Sequence, residues 1–153
     1  MGEIRRLFDR APFIRDLGME LAAIAPGRCE TRLVLAERHL QQDGVVHAGV
    51  LATMADHTAG AAGASLIGVG EYVLSAEFKI NLLRAAGQNR LHCIGTVLKP
   101  GRRLIVAESE VFDGDPGSGR LVAKATVTLA VMTTPSATPA ELKGSASQPD
   151  QKD

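Results

Sequence analysis

Hydrophobic and polar positions along the chain follow two different patterns, which predict one long helix among several strands. Residues 48–67 are apolar nearly all round, as expected of an enclosed helix, and glycines at 68 and 70 mark its end. A shorter amphipathic helix is predicted at 3–10, ending before Pro12. Short runs bounded by turn residues predict strands at 19–25, 28–35, 72–83, 90–98, 103–112 and 120–132.

The order of these elements predicts an α+β fold. A strand pair precedes the long helix and an antiparallel meander follows it, with too little helix for a parallel α/β sheet. The alternation in the strand after the helix places Tyr72, Leu74, Ala76, Phe78, Ile80 and Leu82 on one face, and we expect this face to pack on the helix. One domain is predicted over residues 1–132. The segment 133–153 is rich in Pro, Ser, Thr and charge, so we expect it to be disordered.

Composition and charge narrow the classes of partner. Lys and Arg total 17, as do Asp and Glu, so no overall field favours nucleic acid or an anionic membrane. No run reaches the roughly 18 apolar residues of a membrane span, and the N-terminus has no apolar core of signal-peptide length, so we expect a cytoplasmic protein. Cys29 and Cys93 lack His or Cys at metal-ligand spacing and are predicted to be small buried hydrophobes without a disulfide. Nothing in the sequence requires a metal or cofactor.

One residue conflicts with the apolar character of the long helix. Asp56 lies at its middle with no Lys or Arg nearby, on a stripe of small residues that includes Gly49, Ala52 and Gly60. Such a carboxylate can be solvated, a structural acceptor, or an acid or base, and its apolar company disfavours the first role. Because burying an unpaired charge costs several kcal/mol, we expect Asp56 to be either paired or retained for chemistry.

The start of the same helix offers hydrogen-bond donors. The N–H groups of Ala48 and Gly49 lack intrahelical acceptors and could polarise the carbonyl of an ester or thioester. His47 either braces this site or is a turn residue bonded to the loop backbone. His47 and Asp56 lie about 13 Å apart along one helix, too far for a direct pair. An Asp56 from one chain meeting the helix start of another would remove that distance.

The run DGVVHAG from Asp43 to Gly49, followed by Ala55 and Asp56, resembles the hotdog-fold thioesterases, most closely the PaaI-like branch of phenylacetate degradation. In that branch a loop Asn-x-x-Gly-x-x-His-Gly-Gly leads into a central helix with an Asp or Glu nine residues after the His. The resemblance extends over about residues 12–132 and includes EFKINLLR at 77–84. It implies a hotdog fold, a long central helix wrapped by an antiparallel β-sheet.

The resemblance implies a role for each matching position. Asp56 would be the nucleophile or general base acting on an acyl-CoA thioester, and the Ala48 N–H of the other subunit would be the oxyanion donor. His47 would brace the loop, and Ser75 would help to place water; the alternative for Ser75 is an ordinary strand hydroxyl. Two positions depart from the motif: Gln41 replaces the usual Asn, and Ala48 replaces the first Gly but keeps its amide.

The resemblance also assigns the coenzyme A end of the substrate and the assembly. Arg84 and the turn KPGRR would clamp the nucleotide phosphates through Lys99, Arg102 and Arg103, since Arg forks match phosphate oxygens. The alternative is a solvated turn whose charges keep the sheet edge soluble. We expect a homodimer and, by resemblance, a tetramer made of two dimers.

The leading hypothesis is therefore an acyl-CoA thioesterase that releases coenzyme A and a small or medium acyl or aryl-acyl acid. A hotdog dehydratase or hydratase is the second hypothesis. Its chemistry usually pairs a carboxylate with a His, which fits less well when His47 precedes the helix and Asp56 lies inside it. The third hypothesis is a non-catalytic acyl-CoA-binding module in which Asp56 is structural.

Overall fold

The computed structural model describes residues 2–87 and 89–134. The helices and strands are α1 (Gly2–Asp9), α2 (Pro12–Leu17), β1 (Met19–Ala25), β2 (Arg28–Val34), α3 (Ala48–Ala64), β3 (Glu71–Leu82), β4 (Arg90–Lys99), β5 (Leu104–Asp113) and β6 (Arg120–Thr133). The predicted α+β class is confirmed. The disordered tail was predicted to begin at 133, but Thr133 is the last residue of β6. The rest of that prediction, from 135 onward, lies outside the described residues.

Two short elements were not predicted. Helix α2 begins with Pro12, which suits a first helical turn, and ends at Gly18, whose φ of 83° lies in the left-handed region. A 3₁₀ turn covers Glu37–His39. Both are too short for their hydrophobic pattern to reveal them.

The six strands form one antiparallel sheet in the order β1-β2-β4-β5-β6-β3. Helix α3 packs across the sheet face to which the buried side chains of β4, β5 and β6 point. The two backbones approach closely at Gly95, where an added Cβ would lie 2.7 Å from the carbonyl oxygen of Thr58. The helix therefore rests directly on the backbone of β4.

Polar side chains of the sheet hold the middle of α3. The Ser109 hydroxyl donates to the carbonyl of Ala55 at 2.7 Å, and the Cys93 thiol lies 3.6 Å from the carbonyl of Met54. Thr58 donates to the same Met54 carbonyl at 2.6 Å and bonds to the Thr31 hydroxyl at 2.7 Å. The turn that carries Asp56 is thus fixed to the sheet.

Helix α3 ends earlier than predicted, at Ala64 rather than near 67. The hydroxyl of the next residue, Ser65, donates to Ala62 O at 2.6 Å and also lies within bonding distance of Ala25 O. The Gly27 N–H in turn donates to this hydroxyl at 2.8 Å. The β1–β2 turn, distant in sequence, therefore ends the helix.

The predicted inner face of β3 is wrong for the first half of the strand. A β-bulge between Ser75 and Glu77 shifts the register with β6 and so reverses the alternation. Val73 packs against the core and Ser75 reaches α3, whereas Tyr72 and Leu74 are exposed. β3 is an edge strand of the sheet.

The two cysteines are buried, as the sequence predicts. Cys29 and Cys93 are free thiols and fully buried, and burial raises the pKa of each to about 12.

Within the described ranges, no helix is long and apolar enough to cross a bilayer.

Candidate active site

Asp56 lies near the middle of α3, half-buried, and its carboxylate is held by a side chain from β3. The Ser75 hydroxyl donates to Asp56 Oδ1 at 2.6 Å. In the part of the chain that the structure describes, no group bonds to Oδ2 and no cation pairs with the carboxylate. Asp56 is thus oriented by one hydroxyl and keeps an oxygen for another partner.

The start of α3 forms a second group. His47 is the N-cap residue, and its Nδ1 accepts the Gly49 N–H at 2.9 Å. The Gly49 amide, predicted as a donor to substrate, is therefore already used within the chain. The Ala48 N–H has no acceptor among residues 2–87 and 89–134, so of the two predicted amides it is the one available to a ligand.

The loop before α3 is closed by its own backbone. Gln41 N–H donates to Val45 O at 2.8 Å and Gly44 N–H donates to Gln41 O at 3.0 Å, with Gly44 in the left-handed region at φ 76°. No described group hydrogen-bonds to the Gln41 side-chain amide. It remains available near the helix start.

His39, which the sequence analysis missed, supports this loop. It is fully buried, its Nδ1 accepts the Ala36 N–H at 2.9 Å, and its Nε2 bonds to Leu17 O at 2.8 Å. Its carbonyl accepts the His47 N–H at 2.9 Å. No local sequence signal marks this role, because the partners lie up to 22 residues away.

The structure brings Asp56 and Ser75 together but leaves them apart from Gln41, His47 and Ala48. Asp56 follows His47 by nine positions, which is about 13 Å along the helix axis. One chain therefore contains two halves of the predicted site.

A cavity of about 1020 Å³ opens beside Asp56 and Ser75. Small residues of α3 form part of its lining: Gly60, Ala61 and Ala64. From Asp56 to Ala64 the helix runs about 12 Å. Of the stripe of small residues predicted from the sequence, Gly60 lines this space and Gly49 and Ala52 do not, whereas Ala61 and Ala64 were not predicted.

His57 lines the same cavity, although it was not predicted as a site residue. As expected from the helical geometry, it does not bond to Asp56. Its Nε2 is buried with no partner in the described part of the chain, and its ring meets that of Phe8 edge-on, with centroids 4.7 Å apart. Burial lowers the pKa of His57 against the opposing effect of the Asp56 carboxylate. The imidazole is therefore neutral at pH 7.

The cations predicted to clamp phosphates are not close together in one chain. Arg84 donates to Leu121 O at 2.9 Å, whereas the 99–103 turn borders the other end of β6, where Arg103 O accepts the Val131 N–H. Ten residues of β6 separate these contacts, about 33 Å. None of Arg84, Lys99, Arg102 and Arg103 lines the cavity.

The described side chains include no group of three or more His, Cys, Asp or Glu placed to hold a metal ion.

Comparison with known proteins identifies the family. The model of the thioesterase superfamily matches residues 43–120, just over half of the chain. A curated relative in Saccharolobus solfataricus, whose name gives it as a candidate esterase, is 30% identical over 123 residues, or 80% of this chain and 85% of the relative.

Solved structures that resemble this chain include members of the same family. A thioesterase family protein from Silicibacter pomeroyi is 34% identical with a TM-score of 0.82, covering 86% of this chain and 96% of that one. The E. coli PaaI protein, from the phenylacetic acid degradation operon, is 17% identical with a TM-score of 0.76 over 84% of this chain and 90% of PaaI, a likeness that shows the fold alone.

The chain belongs to the thioesterase superfamily. Its long helix against a six-stranded antiparallel sheet is the hotdog fold implied by the resemblance, and by class the protein is a thioester hydrolase.

Proposed function

We propose that the protein is an acyl-CoA thioesterase in which Asp56 is the nucleophile or the general base. The observation that carries this proposal is the Asp56 carboxylate on the wall of a 1020 Å³ cavity. The Ser75 hydroxyl donates to it at 2.6 Å, and no cation of the described residues pairs with it. A cation paired with the carboxylate would weaken it as a nucleophile or base. A hydroxyl fixes its direction and leaves Oδ2 for the reaction.

The thioester carbonyl carbon would lie beside Asp56, with the acyl group in the cavity. Oδ2 either attacks this carbon or takes a proton from a water that attacks it. In both cases negative charge develops on the carbonyl oxygen, which needs a donor. The unpaired Ala48 N–H at the positive end of α3 supplies that donor, and the Gln41 amide helps to place the water or the carbonyl.

A second protomer supplies that helix start. β3 is an edge strand, and four of its large apolar side chains are exposed: Tyr72, Leu74, Phe78 and Leu82. Pairing two copies of β3 would satisfy the free strand edge, extend the sheet and reduce this exposure. We therefore propose a homodimer whose sites combine Asp56 of one chain with Ala48 of the other, and by resemblance a dimer of dimers.

The same dimer accounts for the separated cations. In an antiparallel β3 pair, the end of one strand near Arg84 lies beside the partner strand's first residue. Glu71 is that first residue, and it pairs with Thr133 of β6 near the 99–103 turn. The phosphate clamp of Arg84 with Lys99, Arg102 and Arg103 would then form across two chains.

A dehydratase or hydratase is the second candidate, because His57 and Asp56 line one cavity. Proton exchange with a ligand would need an accessible ring nitrogen beside the carboxylate. Of the two ring nitrogens, Nε2 is buried without a partner in the described residues, the ring packs against Phe8, and no hydrogen bond joins the imidazole to Asp56. Hydrolysis by Asp56 is therefore favoured.

Thiol release from a panel of aliphatic and aryl-acyl-CoA esters tests the reaction. Wild type and Asp56→Asn are compared, with Asp16→Asn as the control, since Asp16 is an exposed carboxylate on α2. We expect hydrolysis to be lost only in Asp56→Asn, while that variant still binds the intact ester. Binding without turnover in wild type would instead identify an acyl-CoA-binding module, and turnover of enoyl or hydroxyacyl esters alone would identify a dehydratase or hydratase.

A mixing experiment tests the shared site. Ala48 is the first residue of α3, where proline is tolerated, and His47 at ψ 137° already has the conformation that a following proline requires. Ala48→Pro thus deletes the N–H with little change in structure. When equal amounts of this variant and Asp56→Asn are refolded together, about half of the dimers are heterodimers, and each of these has one intact site out of two. We therefore expect about a quarter of wild-type activity from a mixture of two inactive variants. No recovery would show that each site is built from one chain.

A further inference from the structure

Two arginines, one in the N-terminal helix α1 and one directly after it, face the cavity that contains Asp56. Arg6 and Arg10 both line it, and Arg10 N–H donates to Arg6 O at 2.9 Å, so the helical turn continues through both. At a spacing of four residues their side chains project from the same face. Both are exposed, and in the described ranges neither guanidinium has a carboxylate within salt-bridge distance.

Buried contacts fix the position of these arginines. Ile4 and Phe8, on the neighbouring face of α1, are both buried in the core, and the Phe8 ring contacts His57. His57 is adjacent to Asp56 in α3, so this contact fixes α1 beside the carboxylate that we propose as catalytic. Packing therefore fixes the backbone from which the Arg6 and Arg10 side chains reach the wall of the cavity.

The cavity lining also contains two carboxylates, and in the described residues neither forms an ion pair with these arginines. Apart from Asp56, the acidic side chain in the lining is Glu71, whose Oε2 accepts the Gly68 N–H at 2.8 Å. Two cations that no carboxylate of the described residues pairs with, next to a largely apolar cavity, suit a ligand that combines an apolar body with an oxyanion. Guanidinium groups bind carboxylates and phosphates through paired hydrogen bonds.

We propose that Arg6 and Arg10 form a binding site for an anionic group of the thioester substrate, an inference that rests on the function proposed above. Two parts of such a substrate carry the required oxygens: a terminal carboxylate on the acyl group, or the phosphates of coenzyme A. This site is separate from Arg84 and the 99–103 turn, which do not line the cavity.

The experiment compares Arg6→Ala/Arg10→Ala with Arg5→Ala, which removes an exposed arginine of the same helix that does not line the cavity. The substrates are hexanoyl-CoA and adipyl-CoA, equal in chain length but differing by a terminal carboxylate, and the matching N-acetylcysteamine thioesters, which lack phosphate. For the esters that carry the bound anion, we expect the double variant to raise KM about ten-fold or more, because hydrogen bonds to charged groups are lost. Its kcat should stay within about two-fold of the wild-type value. Arg5→Ala should leave KM unchanged, and Arg6→Lys/Arg10→Lys should give an intermediate KM.

The four substrates separate the two sources of the anion. A rise in KM for both coenzyme A esters but neither N-acetylcysteamine ester assigns the site to phosphate. A rise confined to the adipyl esters on both carriers assigns it to the acyl carboxylate. Equal KM values in the double variant and Arg5→Ala overturn the proposal.

Binding of hexanoyl-CoA and adipyl-CoA to Asp56→Asn, with and without the double substitution, is measured by calorimetry and needs no turnover. If wild type hydrolyses none of the esters but the double substitution still weakens binding ten-fold, the proposed function fails and the anion site stands. If hydrolysis occurs and binding is unchanged by the double substitution, the anion site fails and the proposed function stands. Circular dichroism and light scattering confirm that all variants keep the fold and the assembly.

Discussion

The contact between α3 and β4 at Gly95 gives the sharpest test of how the fold positions the site. A Cβ on Gly95 would lie 2.7 Å from Thr58 O, 2.9 Å from Thr58 C and 3.0 Å from Ala59 N. All three atoms are helix backbone, so no side chain can turn away. Gly95→Ala must therefore displace the helix or the strand.

The size of that displacement follows from the distances. Ordinary contact begins at 3.4 Å, so the shortest approach of 2.7 Å leaves a shortfall of 0.7 Å. Overpacking of this kind costs about 2 kcal/mol, which lowers Tm by about 7 °C for a folded region of this length. Thr58 is two residues from Asp56, so the carboxylate would move relative to Ser75. We expect kcat to fall at least about ten-fold, because misplacement by 1 Å can cost about a hundred-fold.

Thermal unfolding at fixed protein concentration and thiol release from an acyl-CoA ester measure the two effects. Gly60→Ala is the matched control for stability, since no atom lies within 4 Å of its added Cβ. At Gly60 the added methyl group reduces the conformational entropy of the unfolded chain without a clash in the folded helix, so Tm should stay the same or rise. A Gly95→Ala protein with wild-type Tm would refute the conclusion that α3 rests rigidly on β4.

Three further predictions concern single side chains. Ser75→Ala removes the donor to Asp56 Oδ1, so kcat should fall about ten-fold with Tm nearly unchanged, and a wild-type kcat would show that this hydroxyl does not orient the carboxylate. Because the pKa of His57 is lowered in the folded state, the unfolded chain takes up this proton at a higher pH than the folded chain does. The free energy of unfolding should therefore fall as the pH drops below about 6.5. In His57→Gln, the urea-unfolding midpoint should change less between about pH 7 and 5.5 than it does in wild type. Cys29 and Cys93, with pKa values of about 12, should not react with a disulfide reagent at pH 8 until urea unfolds the protein, and rapid labelling of the native state would contradict their burial.

The long helix was predictable because its signal is local. A run that is apolar all round and ends in glycines specifies a helix enclosed by the sheet, whatever the rest of the chain does. Its last residue was not predictable, because the Ser65 hydroxyl that ends it bonds to Ala25 and Gly27, which lie 40 and 38 residues away in sequence. Helix ends set by tertiary contacts leave no pattern near the end itself.

The inner face of β3 shows the same limit in a strand. The alternation from Tyr72 to Leu82 is regular, and a sequence pattern of period two predicts one continuous inner face. The bulge between Ser75 and Glu77 arises from pairing with β6, about 50 residues later in the chain. It turns Ser75 toward Asp56, so the departure from regular alternation is what completes the carboxylate's environment.

The lack of Lys or Arg near Asp56 in the sequence has a physical reason in the structure. A half-buried carboxylate needs a hydrogen-bond donor, and an ion pair would satisfy it at the expense of its reactivity. Ser75 supplies one neutral donor, while the small residues that follow along α3 leave a cavity beside the second oxygen. Of the arginines that line this cavity, Arg6 lies on α1 and Arg10 directly follows it, and neither bonds to Asp56. Positive charge is thus available to the substrate without neutralising the carboxylate, a division of roles that only the packing of α1 on α3 creates.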